Sequence, residues 1–207
     1  DGFNLYNAIK RTPFKWLDLN RLCTTLLPGQ NITMIRYFTA LALDFPHNSQ
    51  ASTRQDIYLR ALRTIPNLTV HKEGWFASRP RPMPRFPIVY PKPSEPPEMV
   101  MVQRVEEKIT DVDLATNLLI DCFSDAFDEA AVISNDADLA PAIEQVRGRF
   151  GKRIGVINPH SSHKMSGYLI KAASYHYRTI NKSVLAKCQF PATLADPNGT
   201  ITKPPSW

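Results

Sequence analysis

The chain has 207 residues, which is long enough for one compact domain with a substantial hydrophobic core. Hydrophobic residues make up 43% and charged residues 21%, so the composition excludes disordered and fibrous proteins, and no apolar run is long enough to predict a transmembrane helix. The net charge is +6, but residues 106–144 carry eleven carboxylates and one base, whereas residues 147–187 carry nine bases and no acid.

The first part of the chain predicts helices and strands in alternation. Asp1-Gly-Phe-Asn is typical of a strand end that turns into a loop, so a short apolar segment is expected before Asp1. Apolar residues at helical spacing predict two helices, over residues 15–27 and 50–64. β-forming residues predict three strands, over residues 31–39, 68–76 and 99–105.

A cluster of prolines interrupts this pattern. Eight prolines fall between Pro80 and Pro97. Proline has no backbone N–H and a fixed φ, so the cluster is incompatible with a helix or a central strand. We therefore expect residues 77–98 to form a long, partly extended loop inserted into the domain.

The second part of the chain contains the clearest helix, predicted over residues 111–126 from apolar side chains at three- and four-residue spacing. The remaining elements are a buried strand at 130–134, a helix at 139–149, a strand at 153–157, a helix near 165–173 and a strand near 175–180. This alternation indicates the α/β class, with a mostly parallel sheet covered on both faces. The domain is expected to span residues 1–182, with residues 183–207 as a C-terminal tail.

Aspartates follow the ends of several predicted strands. Asp1 follows the presumed first strand, Asp111 opens the helix after the insert, and Asp136 and Asp138 follow the strand that ends at Ser134. Because ligands in such sheets bind at the carboxyl ends of the strands, we expect these acids to meet at one edge. Carboxylates at one edge repel one another unless cations neutralise them, and hard oxygen ligands suit Mg²⁺ or Mn²⁺. Taken singly, each acid also fits a helix cap, and the two roles are compatible.

Basic residues near these acids are candidates for substrate contacts. Arg147, Lys152 and Arg153 lie between the acids and the next strand, and could contact phosphates or form ordinary surface charge. His160 follows that strand and could act as a general acid, bind substrate or be a solvated loop residue. Lys108 could pair with a neighbouring carboxylate or with a substrate phosphate.

The proline-rich insert also contains arginines and aromatic residues. Arg79, Arg81 and Arg85 interleave with rings such as Trp75 and Phe86. Bases and rings together suit single-stranded nucleic acid, because rings stack on nucleobases and cations contact phosphates. The same rings equally suit a core or a homodimer contact.

Three motifs together resemble a known family. Asp1-Gly-Phe-Asn4, Lys108-x-x-Asp111-Val and Ser134-Asn-Asp136-Ala-Asp138-Leu stand in the order and spacing of the NYN domain, a PIN-like nuclease fold, over about residues 1–180. The resemblance implies a Rossmann-like three-layer α/β/α sandwich and metal-dependent cleavage of RNA.

Residue by residue, the resemblance implies that Mg²⁺ or Mn²⁺ is held by Asp1, Asp111, Asp136 and Asp138. Asn4 would orient the first acid or a bound water. The complete set of candidate substrate-binding residues is Asn4, Lys108, Ser134, Asn135, Arg147, Lys152, Arg153 and His160.

Two departures keep other functions open. The family often has an acid at the position of Asn117, which favours the alternative of a module that binds RNA without cutting it. Residues 12–19 are similar to a bacterial NYN subgroup that includes a hydroxypyridine-type hydroxylase. No GxGxxG motif follows a predicted strand, so the sequence lends no support to a flavin or nicotinamide site.

The cysteines indicate the redox state of the cellular compartment in which the protein is expected. Cys23, Cys122 and Cys188 lie far apart without a CxxC pair, which disfavours a zinc site and a disulfide framework. A reducing cytoplasm fits this usage, and the lack of a signal-peptide pattern agrees with it. We expect nucleic acid as the partner, and no membrane.

Overall fold

The computed structural model describes residues 1–177 and 179–207. In chain order the elements are α1 (Gly2–Ile9), α2 (Leu19–Leu26), β1 (Ile35–Ala40), α3 (Ala51–Leu62), β2 (Leu68–Pro84), β3 (Met99–Lys108), α4 (Thr110–Phe123), β4 (Glu129–Ile133), a 3₁₀ turn (Ala137–Leu139), α5 (Ala140–Gly148), β5 (Arg153–Ile157), α6 (Gly167–Ala172), β6 (Tyr175–Tyr177), α7 (Lys182–Lys187), β7 (Thr193–Asp196) and β8 (Gly199–Thr202). None of the described helices has the length and hydropathy needed to cross a bilayer.

Two three-stranded sheets form the centre of the fold, in the orders β1-β2-β3 and β4-β5-β6. The pairs β1–β2, β4–β5 and β5–β6 are parallel, which confirms the predicted α/β class with a mostly parallel arrangement. The last predicted strand is shorter than expected, and Arg178, within its predicted range, lies outside the described residues.

Helices cover both sides of these sheets. Consecutive side chains of a strand point to opposite faces, so Tyr37 and Ile157 join one hydrophobic core while Phe38 and Val156 join the other. The first core packs against α1, α2 and α3, and the second against α4, α5 and α6. Each core contains residues of both sheets, which gives the α/β/α sandwich.

A cavity of about 460 Å³ separates β1 from β4. Its lining includes residues 35–38 of β1, residues 129–133 of β4 and Asp1. Asp1 is followed directly by α1, for which it is the N-cap, rather than by the loop that the sequence predicts. The apolar segment expected before Asp1 stays a prediction.

The proline-rich region was the main error of the sequence prediction. Residues 77–84 are not loop but the second half of β2, which pairs antiparallel with β3 from Trp75↔Lys108 to Pro84↔Met99. β1 ends beside Gly74, so this part of β2 is an edge strand. Proline is tolerated at an edge where its nitrogen faces away from the partner strand, and the loop shrinks to residues 85–98.

The C-terminal residues are not a free tail. They form α7 and the hairpin β7–β8, whose Ile201 is only 1% exposed, and Arg60 of α3 binds Asp196 of the hairpin at 2.8 Å. The aromatic ring of Trp207 lies 5.4 Å from that of Tyr58. Asn198-Gly199 between two short β-forming runs is a hairpin signal that the tail prediction overlooked.

We expect Ile201→Ala to lower the free energy of unfolding by about 2–5 kcal/mol, the usual cost of truncating a buried isoleucine. The matched control is Ile120→Ala, because Ile120 is 55% exposed on α4 and its truncation should change stability by less than about 0.5 kcal/mol. Urea denaturation of the two variants and the wild type measures both values. Equal stabilities of the two variants would contradict the packing of the β7–β8 hairpin against the domain.

Candidate active site

The carboxylate of Asp1 is fixed on both of its oxygens. As the N-cap of α1 it accepts a hydrogen bond from the backbone N–H of Asn4 at 2.8 Å through Oδ1. Its Oδ2 accepts a hydrogen bond from the hydroxyl of Ser134 at 2.7 Å. Ser134 is fully buried at the carboxyl end of β4, so the start of the chain is joined to the third sequence motif.

The same serine also fixes the segment that carries the next aspartates. The backbone N–H of Asp136 donates to Ser134 Oγ at 3.1 Å, and Asp136 Oδ1 in turn accepts from the backbone N–H of Asp138 at 3.0 Å. Asp136 thus caps the 3₁₀ turn that leads into α5. One carboxylate oxygen of Asp136 remains free of these hydrogen bonds, so Asp136 can cap the turn and still contribute to a cluster of acids.

Asn4 and His160 extend the network on the other side of Asp1. Asn4 Oδ1 accepts from the backbone N–H of Asn135 at 3.2 Å and lies 3.1 Å from His160 Nε2. Asn135 accepts from the backbone N–H of Ser166 and donates to the carbonyl of Lys164, which anchors the loop that follows β5. Three segments that are distant in sequence therefore meet at the carboxyl edge of the sheet.

Asp111 completes this edge from the first turn of α4. Partial burial raises its pKa, and the negative charges of Asp136 and Asp138 raise it further. These two charges act on Asp111 only because all three carboxylates share one region, as the motif spacing predicts.

The sequence prediction overlooked one acid of this region, Glu107 at the end of β3. Burial raises the pKa of Glu107, as does the charge of Asp111, whereas a hydrogen bond from the Thr110 hydroxyl at 2.6 Å opposes the rise. The signal was present, because Glu107 directly precedes Lys108 of the second motif. We refer to Asp1, Glu107, Asp111, Asp136 and Asp138 as the acidic cluster.

Most of the predicted basic contacts lie elsewhere. Lys152 and Arg153 stand at the amino end of β5, the opposite edge of the sheet, where Lys152 pairs with Asp125 and Arg153 binds Glu129 at 3.2 Å. The Arg147 guanidinium donates to the carbonyl of Ala173 at 2.8 Å and thereby holds α5 against the end of α6. Closeness in the sequence was misleading, because the two ends of a five-residue strand lie roughly 13 Å apart.

His160 reaches the acidic cluster through Asn4, whereas Lys108 has its partner outside the cluster. Lys108 binds Glu106 at 2.9 Å rather than Asp111. Burial lowers the pKa of His160, and the neighbouring His163 lowers it further. A histidine with a lowered pKa is neutral at pH 7, which suits hydrogen bonding to a substrate better than proton donation.

Another group of possible metal ligands lies on the α4 side of β2. Among the described residues, one ligand atom each of His71, Glu73 and Asp113 come within 4.8 Å of one another. However, Arg36 lies 3.1 Å from His71 Nε2 and is itself fixed by two hydrogen bonds to Asp121. A guanidinium held at this place opposes a divalent cation, so the group is better described as a polar network.

Asn117 belongs to that polar network and not to the acidic cluster. Its side-chain amide donates to Asp113 Oδ1 at 2.7 Å and to the Asp113 carbonyl at 2.9 Å. An acid at position 117 would therefore adjoin Asp113. The departure from the family pattern at this position leaves the acidic cluster intact.

The fold and the three motifs together define the class of this protein. Residues 1–181 match the model of the NYN domain, so the chain belongs to the NYN domain family. The 6-hydroxy-3-succinoylpyridine 3-monooxygenase HspA of Pseudomonas putida (strain DSM 28022 / S16) is 33% identical over 232 residues, which cover 100% of this chain and 73% of that protein.

A solved structure shares the fold. It is the crystal structure of a protein of unknown function, VPA0982, from Vibrio parahaemolyticus RIMD 2210633, with a TM-score of 0.55. The match covers 88% of this chain and 90% of that chain at 15% sequence identity, so it supports the fold alone.

The raised pKa of Asp111 predicts that its ionised carboxylate lowers the free energy of unfolding. Ionised Asp111 is less favourable in the folded than in the unfolded chain, so stability falls as pH rises from the ordinary aspartate value of 3.8 through the folded pKa. Asp111→Asn should therefore raise the free energy of unfolding at pH 7, in EDTA, and have little effect at pH 3.

Asp44 provides a control of opposite sign. The backbone N–H and hydroxyl of Ser52 hydrogen-bond its carboxylate and lower its pKa. Its contribution to stability is present above pH 3.8 and is lost as pH falls through the folded pKa, so Asp44→Asn should lower stability at pH 7. Urea denaturation at both pH values tests the pair, and a loss of stability in Asp111→Asn at pH 7 would contradict the electrostatic account.

Proposed function

We propose that this chain cleaves phosphodiester bonds in nucleic acid, with RNA as the preferred substrate, by means of Mg²⁺ or Mn²⁺ at the acidic cluster. The observation that carries the proposal is the hydrogen-bond network in which Ser134 binds both Asp1 and Asp136. The charges of Asp136 and Asp138 also raise the pKa of nearby Asp111. A fold that holds several carboxylates together against their repulsion is typical of a cation site. Membership of the NYN family supports a nuclease-type activity.

The residues of the acidic cluster fit a hard divalent cation. All five side chains offer carboxylate oxygens, the ligands that Mg²⁺ and Mn²⁺ prefer. The four aspartates do not reach the 4.8 Å mutual spacing of the His71 group. Mg²⁺ usually keeps several waters and binds through one or two carboxylates, so a magnesium site does not require all of these aspartates as direct ligands.

The chain's own residues would supply orientation and substrate contacts. A bound ion would ionise a water and offset the charge that develops on the phosphate. Ser134 and the Asn4 backbone fix the rotamer of Asp1, so its carboxylate needs no reorganisation. Neutral His160, held 3.1 Å from Asn4, can donate or accept a hydrogen bond at the substrate.

Asp136→Asn should reduce Mn²⁺-dependent cleavage of a mixed RNA pool by about a hundredfold or more, because it removes a negative ligand. Folding should be largely retained, since asparagine also caps helices. The control is Asp56→Asn, an exposed acid on α3, which should cleave like the wild type. Gel analysis of digests and calorimetric titration with Mn²⁺ give two independent readouts.

The nuclease proposal is refuted if the wild type leaves RNA, single-stranded DNA and duplex DNA uncut with both ions. It is equally refuted if Asp136→Asn cleaves at the wild-type rate. RNA binding without cleavage, together with little binding of Mn²⁺ in calorimetry, would instead indicate the RNA-binding module that the sequence left open.

A second candidate is oxygenation of a small aromatic compound, because the relative HspA is named a monooxygenase of 6-hydroxy-3-succinoylpyridine. A cavity of about 210 Å³ between α1, α3 and the start of the β2–β3 hairpin favours it. Phe3, Tyr6, Phe45 and Phe76 contribute aromatic side chains to its lining, and Arg54 contributes a cation. This volume is small for a drug-sized ligand and suits a single ring.

The second candidate is tested directly with that compound. The wild type is incubated with 6-hydroxy-3-succinoylpyridine, oxygen and a nicotinamide electron donor, and the products are separated by mass spectrometry. A product heavier by one oxygen atom would support oxygenation. An unchanged substrate together with metal-dependent RNA cleavage would reject it.

A further inference from the structure

The antiparallel hairpin of residues 75–108, called the arm here, has two chemically different faces. Directly opposite residues of an antiparallel pair project from the same face, and side chains alternate along each strand. Arg79 lies opposite Arg104, and Arg81 follows two residues after Arg79. These three arginines therefore share one face with Lys108, which lies opposite Trp75. We call this the basic face.

The other face carries no cation in the paired region. Pro80, Pro82 and Pro84 alternate with the arginines of β2, and Met99 and Met101 lie opposite the last two of them. The alternation of arginine and proline in the sequence thus places the arginines of β2 on one face and its prolines on the other, while Met83, Val100 and Val102 share the face of the arginines.

The charges on the basic face are poorly compensated. Arg79 and Arg104 face each other directly across the strands, a like-charge arrangement that destabilises a sheet. Glu106 is the acid of this face, and it pairs with both Arg104 and Lys108. Within the described part of the chain, Arg79 and Arg81 form no ion pair, and both are exposed. An external anion would relieve this repulsion.

We propose that the basic face binds the phosphate backbone of single-stranded RNA as an accessory strip outside the cleavage site. The identity of the polyanion rests on the proposed function. Lys108 ends the strip at the last residue of β3, directly before α4, whose first turn carries Asp111, whereas Glu107 of the acidic cluster projects from the opposite face of the arm. Trp75, which is 48% exposed at the same end, offers a ring on which a nucleobase can stack.

The proline and methionine face of the arm suits contact with a second copy of the chain, whereas the basic face does not. A dimer through the proline and methionine face would leave the opposed arginines uncompensated. The regular spacing of cations along an extended ribbon matches a repeating anion better than a folded protein surface. A backbone contact of this kind is independent of base sequence and is weakened by salt.

The test uses Arg79→Gln/Arg104→Gln in the full chain. Its charge-matched control is Arg11→Gln/Arg63→Gln, which removes two exposed cations outside the arm. A second variant, Arg79→Lys/Arg104→Lys, keeps the charge. Binding of 5′-fluorescein-labelled oligouridylate and oligoadenylate of 20 nucleotides is measured by fluorescence anisotropy in EDTA over a range of salt concentrations.

We expect the glutamine pair in the arm to weaken binding of both oligomers about tenfold and to reduce the slope of log affinity against log salt by about 1.4. The lysine pair should bind within about twofold of the wild type. Thermal unfolding of every variant shows whether the fold is kept, and the lysine pair tests the charge requirement if the glutamine pair is unstable.

Two outcomes overturn the inference. One is equal affinity and salt dependence of the arm variant and its charge-matched control. The other is an altered mass in light scattering with unaltered RNA affinity, which would assign the arm to contact between copies. Because EDTA prevents cleavage, RNA binding that depends on the arm would stand even if the metal-dependent cleavage test failed.

Discussion

A single buried hydroxyl, that of Ser134, holds the candidate site together. It donates to the carboxylate of Asp1, which lies 133 positions away in the sequence, and accepts from the backbone N–H of Asp136. A hydroxyl can do both at once because it is a donor and an acceptor. No carboxylate could replace it, since a further negative charge would add to the repulsion. The geometry of the cluster therefore depends on a neutral residue.

Electrostatic cost is the second theme of the site. Burial and neighbouring charges raise the pKa of both Asp111 and Glu107, which means that the fold tolerates carboxylates it would be more stable without. Natural proteins accept such costs chiefly where function requires them. By contrast, Asp121 is matched by two hydrogen bonds from Arg36. The acids with raised pKa lie in the candidate site, whereas Asp121 belongs to a structural contact.

Local pattern predicted β5 to the residue, β4 to within one residue and α4 to within three residues at its end, because each has a single strong periodicity. The convergence of Asp1, Asp111 and Asp136 followed from the rule that carboxyl ends of parallel strands share an edge. Nonlocal geometry accounts for the failures. Sequence proximity placed Lys152 at the wrong edge, and a proline count cannot distinguish an edge strand from a loop.

The alternating prolines of β2 have one more consequence. Pro80, Pro82 and Pro84 lack the backbone N–H groups that would otherwise point away from β3. A further strand therefore cannot pair in register with this edge of β2. Exposed strand margins are the usual nuclei of fibril growth, and long hairpins that project into solvent are especially vulnerable. The prolines therefore close the β2 margin of this hairpin to strand addition, whereas the outer margin of β3, the terminal strand of its sheet, carries no proline.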